Sequence, residues 1–357
     1  MCAKVKMEMK KLDDILAQYY QLVSHALSCS KIVGEDLKHP DQTSEARLLC
    51  QTRCVYFLTQ YSVLYNAPDS LESAVSLYNN TRELYKREGY WKDRMSSLSK
   101  TDDLYEYAFI VYAESRLFIE TKNHDVKESA YETLRYLFSL IANKEELLEI
   151  SKQGQDNICQ NPLMHLFECL LMAWRAFQDT EIMDAVSNLL LVIEEHFFDQ
   201  DLGLIKETVD SAGDTLWFEP GHSYEWACLL DELKSEMPNL SSKITPENLM
   251  AAAEKHGVNS EGYVLPEIHP NKSAETAEKF RIWPQLERVR AYSILNNQTR
   301  VDEIMTSLVD RYFDSELNPI EYKWLNNGQD IDYVKSTTGY HIMTSFSEVK
   351  KCLTGNV

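Results

Sequence analysis

Three histidines stand at or just after sequence signals for the start of a helix. His222 lies in Glu219-Pro220-Gly221-His222-Ser223-Tyr224-Glu225-Trp226, His165 in Asn161-Pro162-Leu163-Met164-His165-Leu166-Phe167-Glu168, and His341 in Ser336-Thr337-Thr338-Gly339-Tyr340-His341. Imidazole is the side chain best suited to moving a proton near neutral pH. In the first motif His222, Glu225 and Trp226 fall at i, i+3 and i+4, so they project together. A histidine in the first turn of a helix meets the positive end of the helix dipole, which lowers its pKa and favours the neutral base. Glu225 beside it can orient the ring or hold a substrate hydroxyl. The competing reading is a capped helix carrying an ordinary surface histidine.

In the second motif Asn161, His165 and Glu168 share a face, with Pro162 in the first turn, where its missing N–H costs nothing. Spacing alone equally suits Asn161 as an N-cap and His165 as a hydrogen-bonded core histidine. A third segment, Arg281-Ile282-Trp283-Pro284-Gln285-Leu286-Glu287, is again a helix opened by proline. Trp283 could stack on the apolar face of a sugar ring, or simply pack; Gln285 and Glu287 offer polar contacts. Arg53 sits among apolar residues, and a buried arginine needs an anionic or hydroxyl-rich partner. Imidazoles in a cavity lined with Trp, Tyr, Asn, Glu and Arg suit acid–base chemistry on a polyhydroxylated ligand.

Helices must position these groups. Apolar residues recur at helical spacing over most of the chain, as in Leu12, Ile15, Leu16, Tyr19 or Met183, Val186, Leu190, Ile193. Turn signals break the stripes, among them Asn66–Pro68, Lys122–His124 and Asn296–Gln298. Gly and Pro together number 21 of 357 residues, too few for many short strands and tight turns. Arg53, Tyr105, Asn161, Pro220, Trp283 and Gly339 each stand beside a helix start, at gaps of 52, 56, 59, 63 and 56 residues. About 57 residues suits one helical hairpin with its loops. Six such hairpins fill the chain, and six that close on themselves make an all-α (α/α)6 barrel. Its inner helices would run one way, with equivalent ends around one cavity. The expectation is a single domain over residues 1–357. Its one long irregular stretch, 257–277, reads as a surface loop.

Composition removes other classes. The 56 acidic against 36 basic side chains leave a net charge of −20, which repels nucleic-acid backbones and anionic membranes alike. No apolar run reaches 18 residues, and the charged N-terminus lacks the apolar core of a signal peptide. Eight scattered cysteines form no CxxC, so zinc ribbons, redox pairs and a disulfide framework are not expected. A reduced, cytoplasmic protein is the expectation. GxSxG, HExxH, P-loop and dinucleotide motifs are absent. The three histidines do not stand at short metal-ligand spacings, although a site assembled from distant helices stays open.

Taken in order, QNPLMHLFECLLMAW, EPGHSYEWACLL, RIWPQLERVRAY and STTGYHIMTSFSEV resemble the N-acylglucosamine 2-epimerase superfamily. The resemblance runs over about residues 45–350, through LCQTRCVYFLTQYS and TDDLYEYAFIVYAESRLF upstream. The PGH-x-x-EW, WPQ-x-E and YHI forms look most like its branch of mannose isomerases and proteins labelled mannose-6-phosphate isomerases. The resemblance implies an (α/α)6 barrel that interconverts sugars with no metal or redox cofactor. It implies that His222 and His341 are the acid–base pair about the sugar's C1–C2 bond, with His165 and Glu225 also at the reacting centre. Arg53, Tyr105, Asn161, Trp226 and Trp283 would surround the substrate. Leu163, Gly339 and Cys228 depart from the family's usual His or other polar residue, Leu and bulky aromatic at those positions.

The expected reaction is aldose–ketose isomerisation of a mannose-type sugar through a cis-enediol. A 2-epimerase would use almost the same residues. A glycoside hydrolase using Glu168 and Glu225, or a non-catalytic sugar-binding relative, could occupy the same barrel. The expected partner is a small sugar, with neither nucleic acid nor membrane. Family members often dimerise, and a homodimer is carried only by that analogy. A phosphate on the sugar would need a local pocket of Arg and Lys, for which Arg47, Lys279, Arg281 and Arg288 are candidates.

Overall fold

Buried positions along the chain follow two patterns, and the pattern separates inner helices from outer ones. The computed structural model describes residues 3–153, 157–270, 277–325 and 333–355, which contain thirteen helices. These are α1 (Ala3–Cys29), α2 (Leu48–Tyr65), α3 (Pro68–Tyr85), α4 (Leu104–Thr121), α5 (His124–Ile141) and the short α6 (Lys144–Ile150). Then come α7 (Asn161–Phe177), α8 (Thr180–His196), α9 (Pro220–Glu236) and α10 (Pro246–Gly257). The last three are α11 (Ile282–Ile294), α12 (Gln298–Tyr312) and α13 (Thr338–Thr354). In α3 the buried residues are Ser70, Ala74, Leu77, Tyr78, Thr81 and Tyr85, the single stripe of an amphipathic helix. α5, α8 and α12 repeat it. By contrast α2 buries every residue from Leu48 to Thr59, and α7 every residue from Pro162 to Ala173. A helix buried all round takes its polar residues inside with it, and each must then find a partner. The histidine motifs all lie on such helices.

The chain forms two compact units, Met1–Thr101 with Glu278–Val357, and Asp102–Ala277. The second contains the hairpins α4/α5, α7/α8 and α9/α10, with α4, α7 and α9 side by side. Two of its hairpins turn through only two residues, Lys122-Asn123 and Gln178-Asp179. Lys122 and Gln178 take left-handed backbone (φ 52° and 53°), and Asn123 and Asp179 cap the next helix. The expected turn at Lys122–His124 is therefore found. The one at Gln178 was not expected, because neither Gly nor Pro marks it.

The first unit contains α2/α3, α11/α12 and a hairpin assembled from distant segments, α13 with α1. Tyr19 of α1 explains Gly339. The tyrosine hydroxyl accepts the Gly339 N–H at 2.9 Å and contacts the Ser336 carbonyl at 2.9 Å. A Cβ on residue 339 would overlap the Tyr19 ring. Helix packing thus leaves no room for a side chain at residue 339. Gly339→Ala is expected to cost about 1–3 kcal/mol, measured by urea denaturation. Pairing it with Tyr19→Ala should recover part of that loss, and full additivity of the two would dismiss the clash.

Loops carry the few strands. In the second unit Lys152–Gln153, Asn157–Cys159, Thr208–Val209 and Thr215–Trp217 form a four-stranded antiparallel sheet. Its register pairs Cys159 with Thr208 and Thr208 with Trp217. In the first unit Lys279–Arg281 pairs with Tyr322–Trp324. In the stretch read as a loop, Ile268 exchanges backbone hydrogen bonds of 2.9 Å with Phe218, which lies just before α9. Residues 271–276 of that stretch lie outside the described residues. All seven described cysteines are free thiols, and no described helix is long and apolar enough to cross a membrane.

Candidate active site

Pro220 and Pro162 occupy the first turns of α9 and α7, as expected. His222 follows two residues into α9 and is only 4% exposed, so the surface-histidine reading falls. Its Nδ1 lies 2.6 Å from Glu207 Oε2 and 3.6 Å from Glu219 Oε2. The small sheet fixes Glu207: its N–H donates to the Trp217 carbonyl at 2.9 Å and its carbonyl accepts from the Gln160 N–H at 3.0 Å. Its carboxylate also accepts from Gln160 Nε2 at 2.7 Å and from the Cys159 thiol at 3.3 Å.

This arrangement reverses the expected electrostatics of His222. Burial does favour the neutral ring, but the charge of Glu207, then that of Glu219, outweighs it and raises the pKa to about 9. The helix dipole is weak beside a full charge at hydrogen-bond distance. Burial likewise opposes ionisation of Glu207, yet His222, Gln160 and Cys159 hold its carboxyl below the usual range. The ring is oriented by Glu207, a residue the sequence reading did not single out, where Glu225 was offered for that part.

On α7, His165 is buried with its Nδ1 3.0 Å from Glu168 Oε2. Its ring meets Tyr105 edge-on at 4.7 Å and Phe109 at 4.9 Å. Asn161 is the first residue of the helix and not its cap, which is Gln160. The Asn161 Oδ1 has no hydrogen-bond partner among the described residues. Glu225 is fully buried. Trp226 is fully buried too, packed on Phe167 with its Nε1 donating to Gln160 Oε1 at 2.6 Å.

Ligand atoms of His165, Glu168 and Glu225 lie within 4.8 Å of one another, as do those of Glu207, Glu219 and His222. Such sets can hold a cation. In both, however, an imidazole nitrogen and a carboxylate oxygen stand at 3.0 Å or less, the spacing of a shared proton.

The first unit carries a second centre of the same design. His341 is the fourth residue of α13, and its Nδ1 lies 2.7 Å from Glu287 Oε1. Arg290, one turn along α11, donates to the other oxygen at 3.0 Å. Burial resists the charge on Glu287; Arg290 and then His341 overcome it, and the carboxyl is held below its usual range. Trp283, 5% exposed, places its ring 5.5 Å from that of His341. Gln285 is buried with Nε2 lacking a partner among the described residues, a donor of the kind a ligand hydroxyl satisfies.

Arg53, buried on α2, donates to the Thr337 carbonyl at 3.4 Å and lies 4.7 Å over the Tyr340 ring. Of the phosphate-pocket candidates, Arg47 pairs with Glu35 at 2.8 Å and Arg281 with Glu321 at 3.1 Å.

The centres thus share a motif that the sequence reading missed, an imidazole whose Nδ1 is held by a buried carboxylate. Glu207 left no local signal, because it lies 15 residues before His222, in the loop just before the Thr208–Val209 strand. Glu287 and Arg290, at i and i+3 on one helix, could have been read as a pair.

Residues 36–345 match the model of the N-acylglucosamine 2-epimerase family. The mannose-6-phosphate isomerase of Rhizobium meliloti (strain 1021) is 25% identical over 221 residues, covering 54% of this chain. The match spans 55% of that relative's length. A solved D-mannose isomerase superposes with TM-score 0.77 at 18% identity, covering 98% of this chain and 99% of the other. The cellobiose 2-epimerase of Bacillus thermoamylovorans B4167 gives 0.72 at 18% identity, covering 86% and 88%. At those identities the structures establish the fold, an all-α (α/α)6 barrel.

Proposed function

Since the chain belongs to the N-acylglucosamine 2-epimerase family, we propose that it is a sugar isomerase converting a mannose-type aldose to the corresponding ketose. The reading is supported above all by the two imidazoles with carboxylate-held Nδ1 atoms, His222 with Glu207 and His341 with Glu287. With Nδ1 so engaged, each ring exchanges its proton at Nε2. In the proposed reaction the sugar ring opens and one imidazole removes the hydrogen at C2, leaving an enediolate. The other gives a proton to the carbonyl oxygen, forming the cis-enediol; the C2 hydroxyl then gives up its proton to that same group as C1 takes back the proton from the base, and the ketose is complete. His222, which holds its proton at neutral pH, is assigned as the donor, and His341 as the base. Arg53 and His165 are assigned to the developing oxyanion. Glu225, Tyr105, Asn161 and Trp283 are assigned to the hydroxyls and the ring faces of the sugar. No cofactor is needed for this sequence of steps, and residues 1–357 act as one catalytic domain. A cytoplasmic setting is proposed on the scattered free cysteines, and a homodimer on family analogy alone.

Return of the proton to the opposite face of C2 would make the protein a 2-epimerase with the same residues. Incubation with mannose, mannose 6-phosphate, glucose, cellobiose and N-acetylglucosamine, followed by separation of products, distinguishes the two. Fructose or fructose 6-phosphate is expected. A C2 epimer as the sole product would overturn the isomerase assignment, and release of a monosaccharide from cellobiose would indicate hydrolysis.

A further inference from the structure

Trp226 presents no ring face to a ligand, yet it reaches the reacting histidine through hydrogen bonds. Its Nε1 donates to Gln160 Oε1 at 2.6 Å, and Gln160 Nε2 donates to Glu207 Oε2 at 2.7 Å. That same oxygen lies 2.6 Å from His222 Nδ1. Trp226, Gln160, Glu207 and His222 are all at least 95% buried, so water does not substitute at any link.

The polarity of this chain follows from its far end. An indole N–H can only donate. It therefore turns the carbonyl of the Gln160 amide towards itself and leaves the NH2 group to face Glu207. An NH2 group cannot accept, so Glu207 must offer a lone pair at Oε2, while the Cys159 thiol occupies Oε1. Both hydrogen bonds favour the ionised form of Glu207 and lower its pKa. An ionised Glu207 makes His222 Nδ1 the donor, and the proton that comes and goes is then the one on Nε2.

We propose that Trp226 and Gln160 are positioning residues, forming a one-way hydrogen-bond relay that sets the tautomer and protonation state of His222 through Glu207. Its effect on turnover rests on the catalytic assignment of His222 made above; its effect on the ring does not. Among the described residues the other ionisable groups about His222 are Glu219, which caps its helix, Glu225 on that helix, His165 and Glu168 on α7, Cys159 beside Glu207, and Glu254 on α10, bonded to Tyr224. The substitutions below leave all of them in place.

Gln160→Glu provides the test. Protonated, the new carboxyl imitates the amide, with its carbonyl towards Trp226 and its O–H towards Glu207. Ionised, it sets two carboxylates against each other, and their repulsion raises the pKa of the pair. The variant should keep kcat within about threefold of the natural enzyme at acidic pH and lose about tenfold or more as pH rises, with KM little changed. Gln160→Leu should be depressed at every pH.

Trp226→Phe keeps the aromatic packing and removes the donor. In 15N NMR of labelled histidine, its His222 titration should move by about half a pH unit or more from that of the natural enzyme. Parallel pH profiles for Gln160→Glu and Gln160→Leu, or an unmoved His222 titration in Trp226→Phe, would overturn the relay. A titration that moves while turnover stays constant upholds the relay and removes His222 from the chemistry instead.

Discussion

His222→Asn and His341→Asn are each expected to lose exchange of the substrate's C2 hydrogen with solvent deuterium by about 10²–10⁴-fold, with KM changed little. Asparagine can still donate to Glu207 or Glu287, so the buried carboxylates keep a partner and the fold is preserved. What it cannot do is carry a proton at the position of Nε2. Exchange retained in either variant would remove that histidine from the reaction.

The His222 variant also has a signature in stability. The folded ring titrates at about 9, above its value of about 6.5 in an unfolded chain. Its contribution to stability is therefore complete below about pH 6.5 and is lost as pH rises through about 9. Denaturation of the natural protein should weaken over that window, and His222→Asn should flatten it. Glu207 has the opposite sign: its depressed pKa contributes stability above the ordinary carboxylate range that is lost on acidification. A decline on the alkaline side that persists unchanged in the variant would show that His222 is not its source.

Glu287→Leu should destabilise the first unit by about 3–5 kcal/mol. The Glu287 carboxylate is fully buried and accepts from both His341 and Arg290, which is itself only 7% exposed. Removing it takes the carboxylate from a buried guanidinium, and most of the cost comes from that charge. The double variant Glu287→Leu with Arg290→Met removes charge and counter-charge together and should recover most of the loss in urea denaturation. It should not recover isomerisation, because His341 Nδ1 would still lack its acceptor. Full return of activity in the double variant would mean that Glu287 serves only to neutralise Arg290.

Much of the architecture was legible because it depends on short-range order. The stripes at i, i+3 and i+4 located the outer helices, and five of the six marked residues fell in the opening turns of α4, α7, α9, α11 and α13, while Arg53 lies in the second turn of α2. Pro162 and Pro220 were read correctly as helix openers for the same reason, since the free N–H groups of a first turn are a local property. The pairing of α1 with α13 was not legible. Nothing near Tyr19 or Gly339 in the sequence records that one packs against the other.

The candidate site divides along the same line. Residue types and spacing placed His165 beside Glu168, three residues away, and put His222 and His341 near helix starts. They misjudged the charge state of His222, because the helix dipole is a neighbour in sequence whereas Glu207 is a neighbour only in space. The carboxylates that hold His222 and His341 stand 15 and 54 residues away, and each comes into place only when a loop or an adjacent helix packs. Amino-acid order alone chose the chemical groups and the helices that carry them. Folding chose which carboxylate meets which imidazole, because a buried charge takes its pKa from the groups within a few ångströms, however far along the chain they lie.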